Sequence, residues 1–437
     1  MFVATIGFIM VIAIVALLLK GKMSPIVVLI MIPTIAALIM GYGIGEVGGF
    51  IKEGVSKTTS NAILFIFSVV FFGVMSDVGV FDIIVNFLVK KAGANVVSIT
   101  VATAVIAIIA HLDGSTATTV LISIPSMWPI YKRMKIRPQV LLCIVASAMG
   151  VMNLLPWGGP TARTATVLGM DATVLWHMLI PIQILGCVVT ILLAAVLGTL
   201  EKRRGAGLTG EASDTGILEA AASDDQKGQE LKRPKLLWIN ILLTVGLIAA
   251  LILNITTSYV LFMLFLSAAL IINFPSLKEQ DKRIKAHAPT ALIISATMLA
   301  SGAMVGIMNG TNMLDAMANA IISILPEALG RYIHIVFGIL GMPLGMVVGT
   351  DAYFYGIMPL IIEVGTKFGV SGLNTAIAMM IGKNVVLMIS PLVPATYLAI
   401  GLVDMELKDH IRFCFKWLFA VTMVMLAGGL LMGVVQL

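Results

Sequence analysis

The chain has 437 residues, of which 59% are hydrophobic and only 11% charged, and its mean hydropathy is +1.06. A soluble domain carries about 25% charged residues, so composition excludes a soluble globular protein and leaves a polytopic membrane protein. The formal net charge of +6 does not point to nucleic acid, because the cations sit in loops between apolar runs, the usual loop bias of membrane proteins.

The apolar runs are long and helical in period, which excludes a β-barrel and predicts an all-α fold. A span needs roughly 20 apolar residues. Phe2 to Leu19 is long enough and reads as the first span rather than a cleavable leader. Further full spans are predicted near 24–42, 60–79, 138–168 (broken) and 173–198. Residues 201–235 follow, rich in Gly, Ala, Ser, Asp and Lys, and read as a linker between halves. The plan then recurs near 236–254, 256–274, 288–308, 371–403 (broken) and 411–434. Each half, 1–200 and 236–437, therefore holds five full spans. An odd number makes the second repeat inverted relative to the first.

Two segments do not fit as spans. Asn95 to Ala110 is about 24 Å long as a helix, short of the ~30 Å hydrocarbon core, and is followed by a polar tip from His111 to Thr116 and an apolar return to Met127. Tyr332 to Val348, the tip Gly349–Asp351 and Tyr353 to Ile362 repeat that pattern. Both read as re-entrant helical hairpins, about 95–131 and 332–367; the alternative is a pair of complete spans with a short turn. Two amphipathic segments, Phe81 to Lys91 and Met313 to Ile324, are expected to lie along the interface. With the termini outside, the inner loops hold Lys20, Lys22, Lys90, Lys91, Lys132, Arg133, Lys135, Arg137, the linker, Lys278, Lys282, Arg283 and Lys285. The outer loops hold only Lys52, Lys57, Arg331 and Lys367. A Lys/Arg excess inside sets orientation, so both termini are placed outside a plasma (inner) membrane.

Chemistry concentrates at four interruptions. The first half has H-L-D-G-S-T-A-T-T (His111 to Thr119) and N-L-L-P-W-G-G-P-T-A-R (Asn153 to Arg163); the second has G-T-D-A-Y-F-Y-G (Gly349 to Gly356) and S-P-L-V-P-A-T-Y (Ser390 to Tyr397). Asp351 follows Asp113 by 238 residues, and Pro394 follows Pro156 by the same interval. Polar, Gly/Pro-rich backbone survives at membrane depth only where protein buries it or it lines a wet cavity, and paired interruptions in two halves point to a transporter's binding site. Intramembrane ionisable groups are functional candidates by default: His111, Asp113, Arg163, Asp351 and Lys383. Asp113 and Asp351, with the oxygens of Ser115, Thr116 and Thr350, suit a charged hydroxylated ligand or a hard cation; the alternative is that the two Asp cap hairpin helices. At Trp157–Pro160 the backbone N–H groups of Gly158 and Gly159, and the helix restarting near Thr161, favour a carboxylate. Arg163 either binds it in bidentate fashion or pairs with a buried Asp to hold the break. In the second break Ser390, Pro391, Thr396 and Tyr397 offer oxygens, and Asn153 and Tyr353 complete the candidate lining. His111 and Lys383 are candidates for proton coupling beside the two Asp. Asp77 and Asp82 read as structural, His177 and His334 as peripheral, and His287 and His410 as solvated loop side chains. Cys143, Cys187 and Cys414 read as small core residues without metal spacing or a disulfide framework. No phosphate-binding Gly-rich loop or nucleophile elbow is present in the sequence, so an ATP motor and an enzyme of those classes are not expected.

The P-W-G-G-P-T-A-R core closely resembles the signature of the citrate–metal–proton symporter family (CitMHS). The resemblance extends through both tips, S-P-L-V-P-A-T-Y and G-L-V-D-M-E-L-K-D-H (Gly401 to His410). It implies the ion transporter superfamily, with inverted repeats, opposing hairpins and a homodimer. It further implies symport of citrate, complexed with a divalent metal of Mg²⁺ or Ca²⁺ type, with protons and without a resident cofactor. Family hairpins often carry D-G-D-G-S-T-T; here the single Asp113 follows His111. Asp113 and Asp351 are the candidate metal contacts. The runner-up is a metal-independent di/tricarboxylate or hydroxycarboxylate permease or exchanger. A channel built from rings of charge or carbonyls, or a membrane-embedded enzyme, is the reading from another class.

Overall fold

The computed structural model describes residues 2–20, 22–81, 87–88, 93, 95–207 and 231–436 and is helical throughout, with no strand among the described residues. The first half runs α1 (Phe2–Lys20), α2 (Pro25–Ile39), α3 (Ile44–Asp77), α4 (Val96–Ala110), α5 (Thr116–Arg133), α6 (Pro138–Met152), α7 (Gly159–Leu168) and α8 (Ala172–Arg203). The second runs α9 (Leu237–Ile252), α10 (Ser258–Asn273), α11 (Leu277–Gly310), α12 (Met313–Ile322), α13 (Glu327–Arg331), α14 (Ile333–Val348), α15 (Met358–Lys367), α16 (Gly372–Asn384), α17 (Pro394–Leu402) and α18 (Leu407–Leu431). Among the described residues six helices are long and apolar enough to cross a membrane: Ile44–Asp77, Val96–Asp113, Ala172–Arg203, Pro234–Ile252, Leu277–Gly310 and Leu407–Leu431. Phe2–Leu18, Pro25–Ile39 and Ser258–Asn273, expected as full spans, are shorter, whereas Val96–Asp113, where the pattern predicts a segment too short to span, is long enough because the tip residues His111–Asp113 continue the helix.

Local chemistry starts these helices where it should. Asn95 accepts from Val97 N, Asp171 from Thr173 N and Val174 N, Ser276 from Glu279 N and Ser371 from Asn374 N. Each satisfies N–H groups that a helix start leaves orphaned. Pro25 and Pro138 open α2 and α6, where a missing N–H costs nothing.

Two bodies pack together. In one, α3 lies along α11, with α2 and α10 beside them and α1 against α12. The other gathers α4 with α6 and α8, α14 with α16, and α6 and α8 with α18. Small residues allow the closest approaches. A Cβ on Gly54 would lie 2.0 Å from Gly302 O, and one on Gly306 would lie 2.2 Å from Phe50 O, so α3 and α11 touch backbone to backbone. A Cβ on Gly382 would likewise lie 2.0 Å from Gly338 O, which joins α16 to α14.

The structure departs from several sequence expectations. α3 and α11 each have 34 residues, about 51 Å of helix, whereas the apolar pattern predicts spans only from 60 and 288. The added turns carry charge on exposed faces, as in the Lys57–Glu53 pair at 2.8 Å, so helix continues past the point where hydropathy falls. For the same reason His287 lies inside α11 and His410 inside α18, not in loops. His410 is fully buried, 2.7 Å from Met388 O. His334 is also buried, with Nε2 2.9 Å from Gln436 O. The amphipathic stretch at Met313 forms α12, whose Asp315 pairs with Lys367 at the end of α15. The Phe81–Lys91 candidate and residues 208–230 of the linker lie mostly or wholly outside the described residues. Where the linker leaves α8, Glu201 is buried and holds Arg137 at 2.5 Å and Arg204 at 2.8 Å.

Candidate functional site

The first break is a built turn. α6 ends at Asn153, Gly158 N donates to Leu155 O at 2.7 Å, and α7 restarts with Ala162 N on Gly158 O. Thr161 Oγ1 closes the turn on Asn153 O at 3.0 Å. Trp157 then fastens the break to the first hairpin. Its Nε1 donates to Leu112 O at 2.7 Å, and its ring packs on Phe72 and Phe262 with centroids 5.0 and 5.2 Å away.

The first tip, His111–Asp113, turns through Gly114 at φ 69°, where a Cβ would stand 3.1 Å from Trp157. Asp113 Oδ1 accepts from Ser115 N at 2.8 Å, and Ser115 caps α5 through Thr118. His111 Nδ1 is 2.6 Å from Thr119 Oγ1 and its Nε2 is 3.2 Å from the Asn153 side chain. Thr119 spends its own proton on Ser115 O, so Nδ1–H donates to Thr119. A neutral ring then has a bare Nε2. Turning the Asn153 amide end for end lets Nδ2–H donate to it and satisfies an otherwise unpaired buried amine.

At the second tip Gly349 has φ 78°, and a π-helical turn, Ala352–Ile357, follows Asp351. Single π turns are frequent at functional sites. Asp351 Oδ1 accepts from Arg163 Nε at 2.8 Å, an ion pair between the two halves with side chains 22% and 18% exposed. Lys383 is buried, donates to Thr350 Oγ1 at 2.8 Å, and lies 5.1 Å from the centre of the Phe354 ring. Gly345 makes room for its stem, since a Cβ there would lie 2.7 Å from Lys383 Cγ. In the second break Ser390 Oγ donates to Met346 O, Thr396 Oγ1 to Ser390 O, and Tyr397 OH to Pro391 O.

The two broken helices meet at these turns. A Cβ on Gly150 would lie 2.5 Å from Val385 Cα, and Thr161 touches Met380. Beside that crossing lies a cavity of about 550 Å³. Of the sequence candidates, Gly114, Thr116, Asn153, Gly159, Arg163, Thr350 and Asp351 line it. Asp113, Ser115, Gly158, Thr161, His111, Lys383, Tyr353, Ser390, Pro391 and Thr396 are not on its wall. Tyr353 is fully buried, with its hydroxyl on Met379 O at 3.0 Å. A Cβ on Gly158 would lie 2.3 Å from Asn153 O, so that glycine serves the turn itself. Phe65 of α3, Ile294 of α11 and Pro394 also line the cavity. Phe65 and Ile294 carry no sequence signal, being apolar residues within apolar helices; Pro394 is visible as the second proline of its break. Among the described residues no group of three or more His, Cys, Asp or Glu comes together.

The wall thus offers the Arg163 guanidinium, the Asp351 carboxylate, the Asn153 amide, the hydroxyls of Thr116 and Thr350 and the start of α7 at Gly159, a set that suits an anionic, hydroxylated small molecule. Comparison with known proteins agrees. Two solved transporters share the fold at low identity. They are the YdaH transporter of Alcanivorax borkumensis (TM-score 0.60, 14% identity, 87% of each chain) and MtrF of Neisseria gonorrhoeae, from a class of antimetabolite efflux pumps (TM-score 0.62, 13% identity, 86% of this chain and 82% of that one). In Bacillus subtilis (strain 168), a citrate transporter is 37% identical over 433 residues, and a Mg(2+)/citrate complex secondary transporter is 36% identical over 434 residues; both matches cover 99% of each chain. The citrate transporter family model matches residues 1–382. These relatives are transporters rather than enzymes, and the run of apolar helices makes this a multi-pass membrane protein. The chain therefore belongs to the CitMHS family of citrate transporters.

Proposed function

We propose that this protein is a secondary active symporter that carries citrate, as a complex with a divalent cation of the Mg²⁺ or Ca²⁺ type, together with protons. It does so by alternating access between two inverted repeats whose re-entrant hairpins open to opposite sides. The observation that carries this reading is the Arg163–Asp351 pair on the cavity wall, 2.8 Å apart and contributed by different halves. A ligand carboxylate matches the guanidinium fork better than a single Asp oxygen does, so citrate displaces Asp351 from Arg163. The freed Asp351 then faces the bound cation or takes a proton. Either event changes the contact between halves, which is what an alternating cycle requires of its ligand. The cation travels as cargo: a hard divalent ion takes six or more oxygens, and citrate with Asp351 and the wall hydroxyls supplies them. His111, Trp157 and Ser115 hold tip and break together and position the wall.

A second reading, transport of a free di- or tricarboxylate without metal, draws on the wall's having one carboxylate, already engaged by Arg163. Uptake of radiolabelled citrate into proteoliposomes separates the two. With an imposed pH gradient, Mg²⁺ or Ca²⁺ should stimulate uptake and a chelator should abolish it. Arg163→Lys, which loses the bidentate fork, should raise the substrate constant roughly tenfold. Uptake indifferent to metal leaves the second reading, and wild-type uptake by Arg163→Lys removes Arg163 from the site.

A further inference from the structure

A group of charged residues away from the cavity has no part in the scheme above. At the carboxyl end of α3, Asp77 Oδ2 is 2.9 Å from His287 Nε2 and 3.2 Å from Arg283 Nη1, both on α11. The two long helices of opposite halves are therefore joined here by a titratable side chain. The imidazole is not in bulk water, for its side chain is 23% exposed and that of Asp77 20%. It stands over Gly73, where a Cβ would lie 2.4 Å from Nδ1. A glycine inside a helix costs stability relative to alanine; here it leaves the space the ring fills. The neighbouring Phe72 packs on Trp157, which is bonded to the first hairpin tip through Leu112 O, and the tip itself packs on α3. The groups facing His287 are Asp77 from α3, Arg283 from its own helix, and Asp113 from the tip, which lies within Coulombic reach of the ring. The ring thus lies between the partly exposed end of the α3–α11 contact and the stretch of α3 on which the first tip packs.

We propose that His287 is a proton-carrying residue of the transport cycle, standing between water at the α3–α11 end and the first hairpin tip. This rests on the proton-symport reading above. With Nε2–H held by Asp77, the ring takes a second proton on Nδ1 and returns it, so one proton enters and one leaves with no other co-reactant. Asp77 fixes the tautomer, and Arg283, 3.2 Å away, shares the same carboxylate oxygen with the ring. Histidine is the side chain whose ordinary titration range suits such reversible loading near neutral pH. The orientation expected from the loop charges turns this end toward the cytoplasm.

The test compares wild type with His287→Gln, which keeps a donor for Asp77 and cannot carry a proton. Purified full-length protein in proteoliposomes with trapped pyranine is given citrate with equimolar Mg²⁺. Two processes are read: exchange of internal for external citrate at equal pH, and accumulation with proton movement under a pH gradient. His287→Gln is expected to exchange within about twofold of wild type, while gradient-driven accumulation falls roughly tenfold and the pyranine signal disappears, the separation a coupling residue requires. Wild-type accumulation and proton movement in His287→Gln overturn the proposal. Loss of exchange together with accumulation in both His287→Gln and Asp77→Asn overturns it in favour of a structural tie. Should His287→Gln fail to fold, Gly73→Ala, which moves the ring off Asp77, is read in the same assays against the same outcomes. If the wild type itself moves citrate without protons, the symport reading falls first, and that result is visible before any variant is examined.

Discussion

Gly158 and Gly159 are adjacent and do different work. A Cβ on Gly158 would strike backbone, 2.3 Å from Asn153 O, whereas one on Gly159 would meet the far end of a movable side chain, Arg163 Nη1 at 2.7 Å. Gly158→Ala is therefore expected to lower stability by about 1–3 kcal/mol, the usual cost of overpacking, seen as a lower Tm in a thermal-shift assay. Gly159→Ala should keep the wild-type Tm and weaken citrate binding by displacing the guanidinium. The reverse pattern would move the carboxylate contact from Arg163 to the turn. Asp351→Asn removes the internal competitor for Arg163. Titration calorimetry of metal-free citrate, with a chelator present so that no cation calls on Asp351, should show on the detergent-solubilised protein an affinity raised by roughly threefold or more while net uptake falls, since binding and the switch between states are separate demands on one carboxylate. Affinity lowered together with uptake would mean that Asp351 holds the ligand directly.

At the scale of elements, the crossing of α3 and α11 depends on Gly302, Gly306 and Gly310 lying on one face of α11, four residues apart. Apolar side chains gain little by leaving lipid, so close backbone packing must supply the association. Gly306→Ala, whose Cβ would lie 2.2 Å from Phe50 O, is expected to lower Tm. Gly246→Ala on α9, whose Cβ would meet only the Phe265 ring at 3.6 Å, should leave Tm unchanged or raise it. Equal effects would show that the crossing tolerates separation. The glycine stripe is visible in the sequence, but nothing local says which helix it meets.

For the molecule as a whole, the loop charges predict both termini outside. With the native cysteines replaced, Ser323→Cys after α12 should react with a membrane-impermeant maleimide on intact cells, and Ser24→Cys before α2 should react only after permeabilisation. Labelling of Ser24→Cys from outside would invert the proposed topology. Both positions are exposed in the fold, so failure to react reports sidedness rather than burial.

The all-helical membrane class and the places where helix gives way to a turn, at His111–Gly114, Leu154–Gly158, Gly349 and Ser390–Val393, are legible in the sequence alone. These depend on local properties: apolar length, helix caps, and the backbone limits of Gly and Pro. Hydropathy placed the starts of α3 and α11 too late, because charged residues that form helix well continue it beyond the apolar stretch. Which side chains reach the cavity is set by packing. Thr161 and Arg163 lie two positions apart on α7, and each residue turns the helix by about 100°, so one faces the core and the other the cavity. The Arg163–Asp351 pair joins residues 188 apart in the chain, and His287 gains its place beside Asp77 across 210. Which partners meet over such separations is set by how whole helices pack, a property that no short stretch of the chain contains.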